Sequence, residues 1–277
     1  MFQIFHNKTN AVFFAILSLC GLVMVIPFLW MILTAFKTTT EATSVNPFVL
    51  FPGAWRTDSF SHVMQNMNFG RLYLNTIVLI AGRVLCAVLT ATMAGYAFGR
   101  IRFPLKTFFF SLVLIQMMVP SQIFIIPQYL MISKLRMLNT MFALLFPGLI
   151  TAFGTFLLRQ NFMTLPADLE EAARIDGANI GQTFLFIMFP LVRSGMVALG
   201  IFTALFAFKE LLWPLIVNTS QNSMPLSSAL AKLQGQFNTN YPELMAASIL
   251  ACLPMIVIYF LFQKQFIQGI ATSGGKL

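Results

Sequence analysis

Long apolar stretches separated by short polar or basic breaks set the pattern of this chain. No charged residue occurs from Thr9 to Phe36. A mixed segment follows at 37–70, with Pro47, Pro52, Gly53, Trp55 and Asp58. Apolar stretches then recur at 72–98, 107–129, 139–158, 193–217 and 244–262. Each approaches or exceeds the ~20 residues that a helix needs to cross a hydrocarbon core. The pattern predicts an all-α integral membrane fold: one domain over 1–277 with six spans, the first at 9–36. Between spans two and three lies the basic turn Gly99-Arg100-Ile101-Arg102-Phe103-Pro104-Leu105-Lys106, and Lys134 and Arg136 mark the next turn. A polar segment at 218–242 precedes the last span. Pro27, Pro120, Pro127, Pro147, Pro190, Pro214 and Pro254 fall in or near the spans. Proline is tolerated there when neighbours or water satisfy the freed carbonyls, so these positions read either as packing kinks or as breaks lining a cavity.

Composition agrees with the pattern. Apolar residues make up 58% of the 277, charged residues 9%, and mean hydropathy is +0.82. A soluble domain is about one quarter charged. The net charge of +9 is scattered and forms no basic stripe, which argues against a nucleic-acid partner. It fits cationic loops on the cytoplasmic side of a bilayer. Six spans put both termini on one side. Lys8, Arg100, Arg102, Lys106, Arg159, Arg174, Arg193, Lys264 and Lys276 on that side outnumber Lys37, Arg56, Arg71, Lys134, Arg136 and Lys232 on the other. Both termini are therefore expected in the cytoplasm. The first apolar run has no small-residue cleavage site close behind it and reads as a retained span. Cys20, Cys86 and Cys252 lie in apolar stretches and read as packing residues, with no metal-binding spacing.

The remaining polar segment is the most informative. Residues 165–190 read LPADLEEAARIDGANIGQTFLFIMFP and hold Asp168, Glu170, Glu171 and Asp176, half of the chain's eight acidic residues. Four carboxylates in one stretch place it outside the bilayer. The local chemistry predicts a short helix. Pro166 suits a first helical position, the acids sit near the positive N-terminal end, and Gly177 fits the residue just past the end. Glu171-Ala172-Ala173 is followed after three residues by Gly177, nine residues later by Ile187, and after two more by Pro190. This spacing resembles the EAA loop of membrane subunits of bacterial ABC importers, with Phe189 where leucine is usual.

The resemblance covers nearly the whole chain from about residue 20. Asn75-Thr76, Ala94-Gly95-Tyr96-Ala97-Phe98 and Arg102-Phe103-Pro104 resemble the second span and turn of carbohydrate-type permeases. Met118-Val119-Pro120, Ile126-Pro127 and Phe156-Leu157-Leu158-Arg159 resemble the middle of such chains. Leu212-Trp213-Pro214-Leu215 and Met245-Ala246-Ala247-Ser248 resemble the last third. The likeness is greatest to the maltose-type "G" permeases. It implies a type I importer permease fold in a bacterial cytoplasmic membrane, with a coupling helix at 165–190 between spans four and five. The implied partners are a second homologous permease, two ATPase subunits, an extracytoplasmic solute-binding protein and membrane lipid. ATP and Mg would be bound by the ATPase, and no cofactor by this chain. The transported class would be a sugar or oligosaccharide, with glycerol 3-phosphate or a polyol as the alternative.

The sequence itself offers no catalytic set. It has no phosphate-binding Gly-Lys-Ser/Thr loop, and His6 and His62 have no evident nucleophile. Glu170, Glu171, Ala172, Ala173, Asp176 and Gly177 are the candidates for docking an ATPase, the alanines permitting close approach. Arg83 and Glu210 are charges inside spans. Such a group costs at least ~2.5 kcal/mol unless paired or wet, so each faces a partner or a polar path. With Lys209 they are the candidate substrate-path residues. Many members of the family it resembles carry an aromatic-Asn-Glu type sequence where this chain has Phe208-Lys209-Glu210, which breaks the inference of a sugar contact at 209. A stand-alone secondary transporter is the remaining alternative, and an intramembrane enzyme would need paired acids or Ser/His within spans, which are not evident.

Overall fold

The computed structural model describes residues 8–45, 47–234 and 239–274. His6 and Lys276 lie outside the described residues. Every regular element among the described residues is helical. The chain separates into two compact units, residues 1–69 with 230–257, and 70–229 with 258–277.

The first unit opens with α1 (Lys8–Ala35), which covers the first expected span. From Val12 to Ala35 its mean hydropathy is 2.7 and its most apolar part is wholly unburied in the isolated chain. The mixed segment after it is ordered by polar contacts. α2 (Thr39–Thr43) starts with a reciprocal cap: Thr38 Oγ1 accepts from the Glu41 amide, and Glu41 Oε2 accepts from the Thr38 amide at 2.8 Å. Glu41 Oε1 also accepts from the Gly53 amide at 3.0 Å, and these donors hold its carboxyl below the usual range. Lys37 donates to the Val49 carbonyl at 2.7 Å and lies over the Trp30 ring at 4.2 Å. α3 (Asp58–Asn66) places His62 Nδ1 at 3.3 Å from Glu243, near the start of the last helix, Tyr241–Gly274.

The second unit begins with α4 (Phe69–Arg100), longer at both ends than the expected second span. Lys106 Nζ donates to the Ile101 carbonyl at 2.9 Å, placing a cation at the helix C-terminus, where the dipole favours it. The third span is not continuous. α5 (Lys106–Met118) stops at Val119, extended as the residue before a proline must be. A 3₁₀ turn at Ser121–Phe124 leads into α6 (Ile125–Lys134), and the two halves are bent by 101°. The fourth is broken too. α7 (Met141–Leu145) passes through a 3₁₀ turn at Phe146–Gly148 into α8 (Ala152–Met163), with a 46° bend. α8 runs past the expected end at 158, so Arg159 lies inside it. Its guanidinium sits 4.1 Å over the Phe110 ring and donates to the Phe98 carbonyl at 3.1 Å. Ala91, Leu158 and Leu199 form a buried cluster with Val88, Leu157 and Met196 around it.

After α9 (Asp168–Ile175) the chain does not stay a loop to 190. It re-enters helix at α10 (Ile180–Gln182), passes through a π-helical turn at Thr183–Met188 and α11 (Phe189–Leu191), then bends by 72° into α12 (Arg193–Lys209). α12 stops eight residues short of the expected 217, at Glu210, and α13 (Leu212–Val217) follows. The cause is Pro214. It cannot donate to the carbonyl of Glu210 and its ring clashes there. Ser227, in α14 (Leu226–Lys232), donates to that freed carbonyl at 2.7 Å. The last helix, α15 (Tyr241–Gly274), is longer than the expected 244–262. Two helices are each long and apolar enough to cross a membrane, and the three bent pairs raise this to five.

Candidate functional site

Two constellations hold the residues singled out by the sequence. The first is α9. Its start is fixed by Arg100 at the end of α4, whose Nη2 donates to the Leu165 carbonyl at 2.5 Å and the Pro166 carbonyl at 3.3 Å. Pro166 therefore precedes the helix: Ala167 is the cap and Asp168 the first helical residue. The end is a Schellman stop. The Ala178 amide donates to the Ala173 carbonyl at 2.9 Å and the Gly177 amide to the Arg174 carbonyl at 3.1 Å. Gly177 has φ +82°, a conformation that costs an L-residue about 1–2 kcal/mol.

The helix has two unlike faces. Ala173 is 3% exposed, and Leu169 and Glu170 are half-buried. Glu170 Oε2 lies 3.6 Å from Arg100 Nε, and the Tyr96 hydroxyl hydrogen-bonds the Glu170 carboxylate. Beneath lies a cluster of Tyr96, Phe162, Met188 and Val192, against which Leu165, Phe184 and Ile187 pack. The Ile of the sequence motif is thus an anchor of the platform. On the other face Asp168, Glu171, Ala172 and Ile175 recur at three- and four-residue spacing, all exposed, with Asp176 beside them. Ile175, which sequence reasoning passed over, is 86% exposed. Of the six docking candidates, Glu170 and Ala173 are turned inward and Gly177 shapes the backbone. Glu171, Ala172 and Asp176 are presented outward.

The second constellation lies where two broken helices meet. Pro147 cannot donate to the Ala143 carbonyl, and the turn at Phe146–Gly148 also frees the Leu144 carbonyl. Trp213 Nε1 donates to Ala143 at 2.8 Å. Arg83, on α4, donates from Nε and Nη2 to Leu144 at 3.1 and 2.5 Å. The same Nη2 lies 2.5 Å from Glu210 Oε2. This is a charge contact: the Oε2 atom is buried with no donor aligned on it as a hydrogen bond. A Cβ on Gly148 would lie 2.8 Å from Arg83 Cδ, so only glycine leaves room for the guanidinium stem. The side chains are 8% and 28% exposed. The sequence left open whether Arg83 and Glu210 pair or line a path separately; the structure pairs them. Lys209 is exposed on the next turn face and takes no part.

On one side of Glu210 is a half-open cavity of about 310 Å³. Its lining includes Gln116, Ser121, Gln122 and Gln128 from the broken third span and Leu212 and Trp213 after the Glu210 break. None of these glutamines was singled out from sequence, although an amide inside an apolar run is a legible signal.

Broken apolar helices, a buried charge pair at their junction and a charged helix between two bent apolar helix pairs fit a membrane-embedded transport subunit. Residues 87–272 match the family of binding-protein-dependent transport system inner membrane components, and the chain belongs to that family. It is a transport permease subunit and not an enzyme. It is 31% identical to the arabinooligosaccharides transport system permease protein AraQ of Halalkalibacterium halodurans, over 92% of each chain. It is 30% identical to the diacetylchitobiose uptake system permease protein NgcG of Streptomyces coelicolor, over 97% of this chain and 89% of that one. It is also 31% identical to the sn-glycerol-3-phosphate transport system permease protein UgpE of Shigella flexneri, over 91% and 93%. The fold matches a chain of a bacterial ABC transporter that imports the acidic polysaccharide alginate, with TM-score 0.78, 21% identity and 94% and 98% coverage.

Proposed function

We propose that this chain forms half of the translocation path of an ATP-driven importer for a sugar or oligosaccharide, and docks one ATPase subunit through the outward face of α9. Six spans are reached by counting each bent pair once and adding α15, which contains the apolar stretch Tyr241–Val257. The basic turn at 100–106 then faces the cytoplasm with both termini, and α9 lies on the same side. A second homologous permease completes the path, two ATPase subunits carry ATP and Mg, and a solute-binding protein delivers from outside.

The observation that carries the docking reading is the exposed stripe of Asp168, Glu171, Ala172 and Ile175 on a helix whose other face contacts Arg100. A branched apolar side chain left 86% exposed beside carboxylates is a partner surface in miniature. Burying such a side chain contributes about 1.5–3 kcal/mol. ATP-driven closure of the ATPase pair would move α9 and, through its clamp on α4, the broken spans. The sugar class rests on the relatives that import arabinooligosaccharides and diacetylchitobiose; the glycerol 3-phosphate relatives support the second reading.

Co-purification of the tagged chain from membranes tests docking. Wild type is expected to bring down the ATPase and a second permease. Glu171→Ala, Ile175→Ser and Gly177→Asp are expected to lose the ATPase and keep the permease. Unchanged recovery with all three would refute it.

A further inference from the structure

We propose that the cavity beside Glu210 is a solute subsite that recognises the hydroxyl groups of an uncharged carbohydrate, and that it selects against phosphate and other anionic solutes. The inference rests on the permease reading above and narrows the substrate class of its path. Three observations carry it.

The first is the unsatisfied amides. Gln116 lies in the apolar helix α5, Gln122 in the 3₁₀ turn and Gln128 in α6. None of the three side chains hydrogen-bonds within the described residues. A primary amide without a partner is costly in hydrocarbon, so the face that carries all three looks onto water or a polar ligand. Each amide offers two donors and an acceptor, which suits hydroxyls that donate and accept at once.

The second is the backbone. The chain breaks at Val119–Pro120 and again at Glu210–Leu211, and both breaks border this one cavity. Irregular backbone at membrane depth persists only where it is buried in protein or lines a water-filled space. α5 has 13 residues, so it lifts Gln116 and the first break roughly 15–20 Å from Lys106, well inside the bilayer from the basic turn.

The third is the charge. The cavity lining holds the Glu210 carboxylate and no cationic side chain among the described residues. Arg83, the nearest guanidinium identified, is spent on Leu144 and Glu210 and is 8% exposed. The negative end of the pair therefore faces the cavity. A phosphate would meet the negative end of the Arg83–Glu210 pair and no free cation, whereas a sugar hydroxyl can donate to the carboxylate. The apolar part of the lining, with Phe124 and Leu212 exposed in it, leaves a surface for the C–H face of a pyranose.

The test uses the assembled transporter in lipid nanodiscs, with Cys20, Cys86 and Cys252 replaced by serine. Single cysteines are placed by Gln122→Cys and Gln128→Cys, with Ile26→Cys in the apolar part of α1, Val12–Ala35, as the lipid-facing control. Each is treated with a trimethylammonium methanethiosulfonate and with its sulfonate counterpart. Both cavity positions are expected to react while Ile26→Cys does not. After normalisation to free cysteine, the cationic reagent is expected to be faster by about threefold or more, as one nearby carboxylate would give. Glu210→Gln is expected to abolish that preference. Unreactive cavity positions would overturn the solute path, and equal or faster reaction with the sulfonate would overturn the selection against anions. Failure of the permease reading would show separately, as absence of the ATPase and second permease from the purified assembly.

Discussion

Arg83→Met is the sharpest probe of the charge pair, because Arg83 serves two acceptors from one buried position. The substitution keeps an apolar stem of similar length against Gly148 and removes the guanidinium. Two groups are stranded. The Leu144 carbonyl loses both donors, at 3.1 and 2.5 Å, and an orphaned buried acceptor costs about 1–3 kcal/mol. Glu210 loses its countercharge at 2.5 Å. Breaking a buried pair costs about 3–5 kcal/mol, and the low end applies because the Glu210 side chain is 28% exposed and gains water. The two penalties overlap in one guanidinium, so the expected total is about 3–4 kcal/mol.

For a chain of this size each kcal/mol moves the melting temperature by about 2–4 °C. A fall of roughly 6–16 °C is expected for Arg83→Met in a detergent thermal-aggregation assay followed by size exclusion. Glu210→Gln alone keeps an acceptor for Arg83 and should cost less, about 1–2 kcal/mol. The double variant Arg83→Met with Glu210→Gln removes the stranded charge, so it should be more stable than the sum of the single losses predicts, by about 1–2 kcal/mol. Additive losses, or an Arg83→Met shift under 2 °C, would refute the pairing argument and return Arg83 to a separate role.

Gly177→Val is expected to weaken ATPase co-purification and to destabilise α9 by about 1–2 kcal/mol from its positive φ alone, with Gly177→Asn milder; the added Cβ meets nothing within 4 Å, so equal effects would deny the conformational cause. Arg100→Ala removes the donor to Leu165 and Pro166 and should raise hydrogen exchange of the α9 amides at least several-fold; unchanged protection would mean the platform alone holds the helix. Gly148→Ala forces the Arg83 stem to shift and is expected to lower the melting temperature by about 2–8 °C, as overpacking of 1–2 kcal/mol would, and a neutral result would contradict the tight fit. Glu41 has its carboxyl held low by the Thr38 and Gly53 donors, so its contribution is complete above pH ~4.5 and is lost as pH falls through the folded value. Limited proteolysis between Lys37 and Arg56 should therefore accelerate on acidification below the usual carboxylate range, and Glu41→Gln should show that acceleration at neutral pH.

What was legible in the sequence follows the range of the interaction. The apolar pattern anticipated an all-helical chain with long apolar helices, because burial in lipid is read residue by residue. The end of α9 was legible for the same reason: a Schellman stop is a local device and Gly177 announces it. Which prolines break a helix was left open. Pro120, Pro147 and Pro214 were visible, but whether a proline kinks or interrupts a helix depends on what takes the carbonyl four residues back. Those takers are Trp213 for Ala143 and Ser227 for Glu210, 70 and 17 residues away in the chain. The inward turn of Glu170 and Ala173 also needed Arg100 and the platform at Tyr96 to fix the rotation of α9.

The broken helices also explain why the charge pair and the cavity occur together. A continuous helix satisfies its own carbonyls and has nothing to offer a buried arginine. Once Pro147 and the turn it sits in free the carbonyls of Ala143 and Leu144, a donor must be found at membrane depth, and Arg83 answers for Leu144. A guanidinium there in turn needs an anion, and Glu210 stands where Pro214 has ended α12. Each proline thus creates a polar demand that the other break helps to meet, and the carboxylate left partly exposed by the arrangement faces the cavity. On this argument, Pro147→Ala should straighten α7 into α8, recapture the Ala143 and Leu144 carbonyls, and loosen Arg83 from its site. The expected readout is loss of the coupling between Arg83→Met and Glu210→Gln in the Pro147→Ala background; a coupling that survives there would show that the pair does not depend on the break.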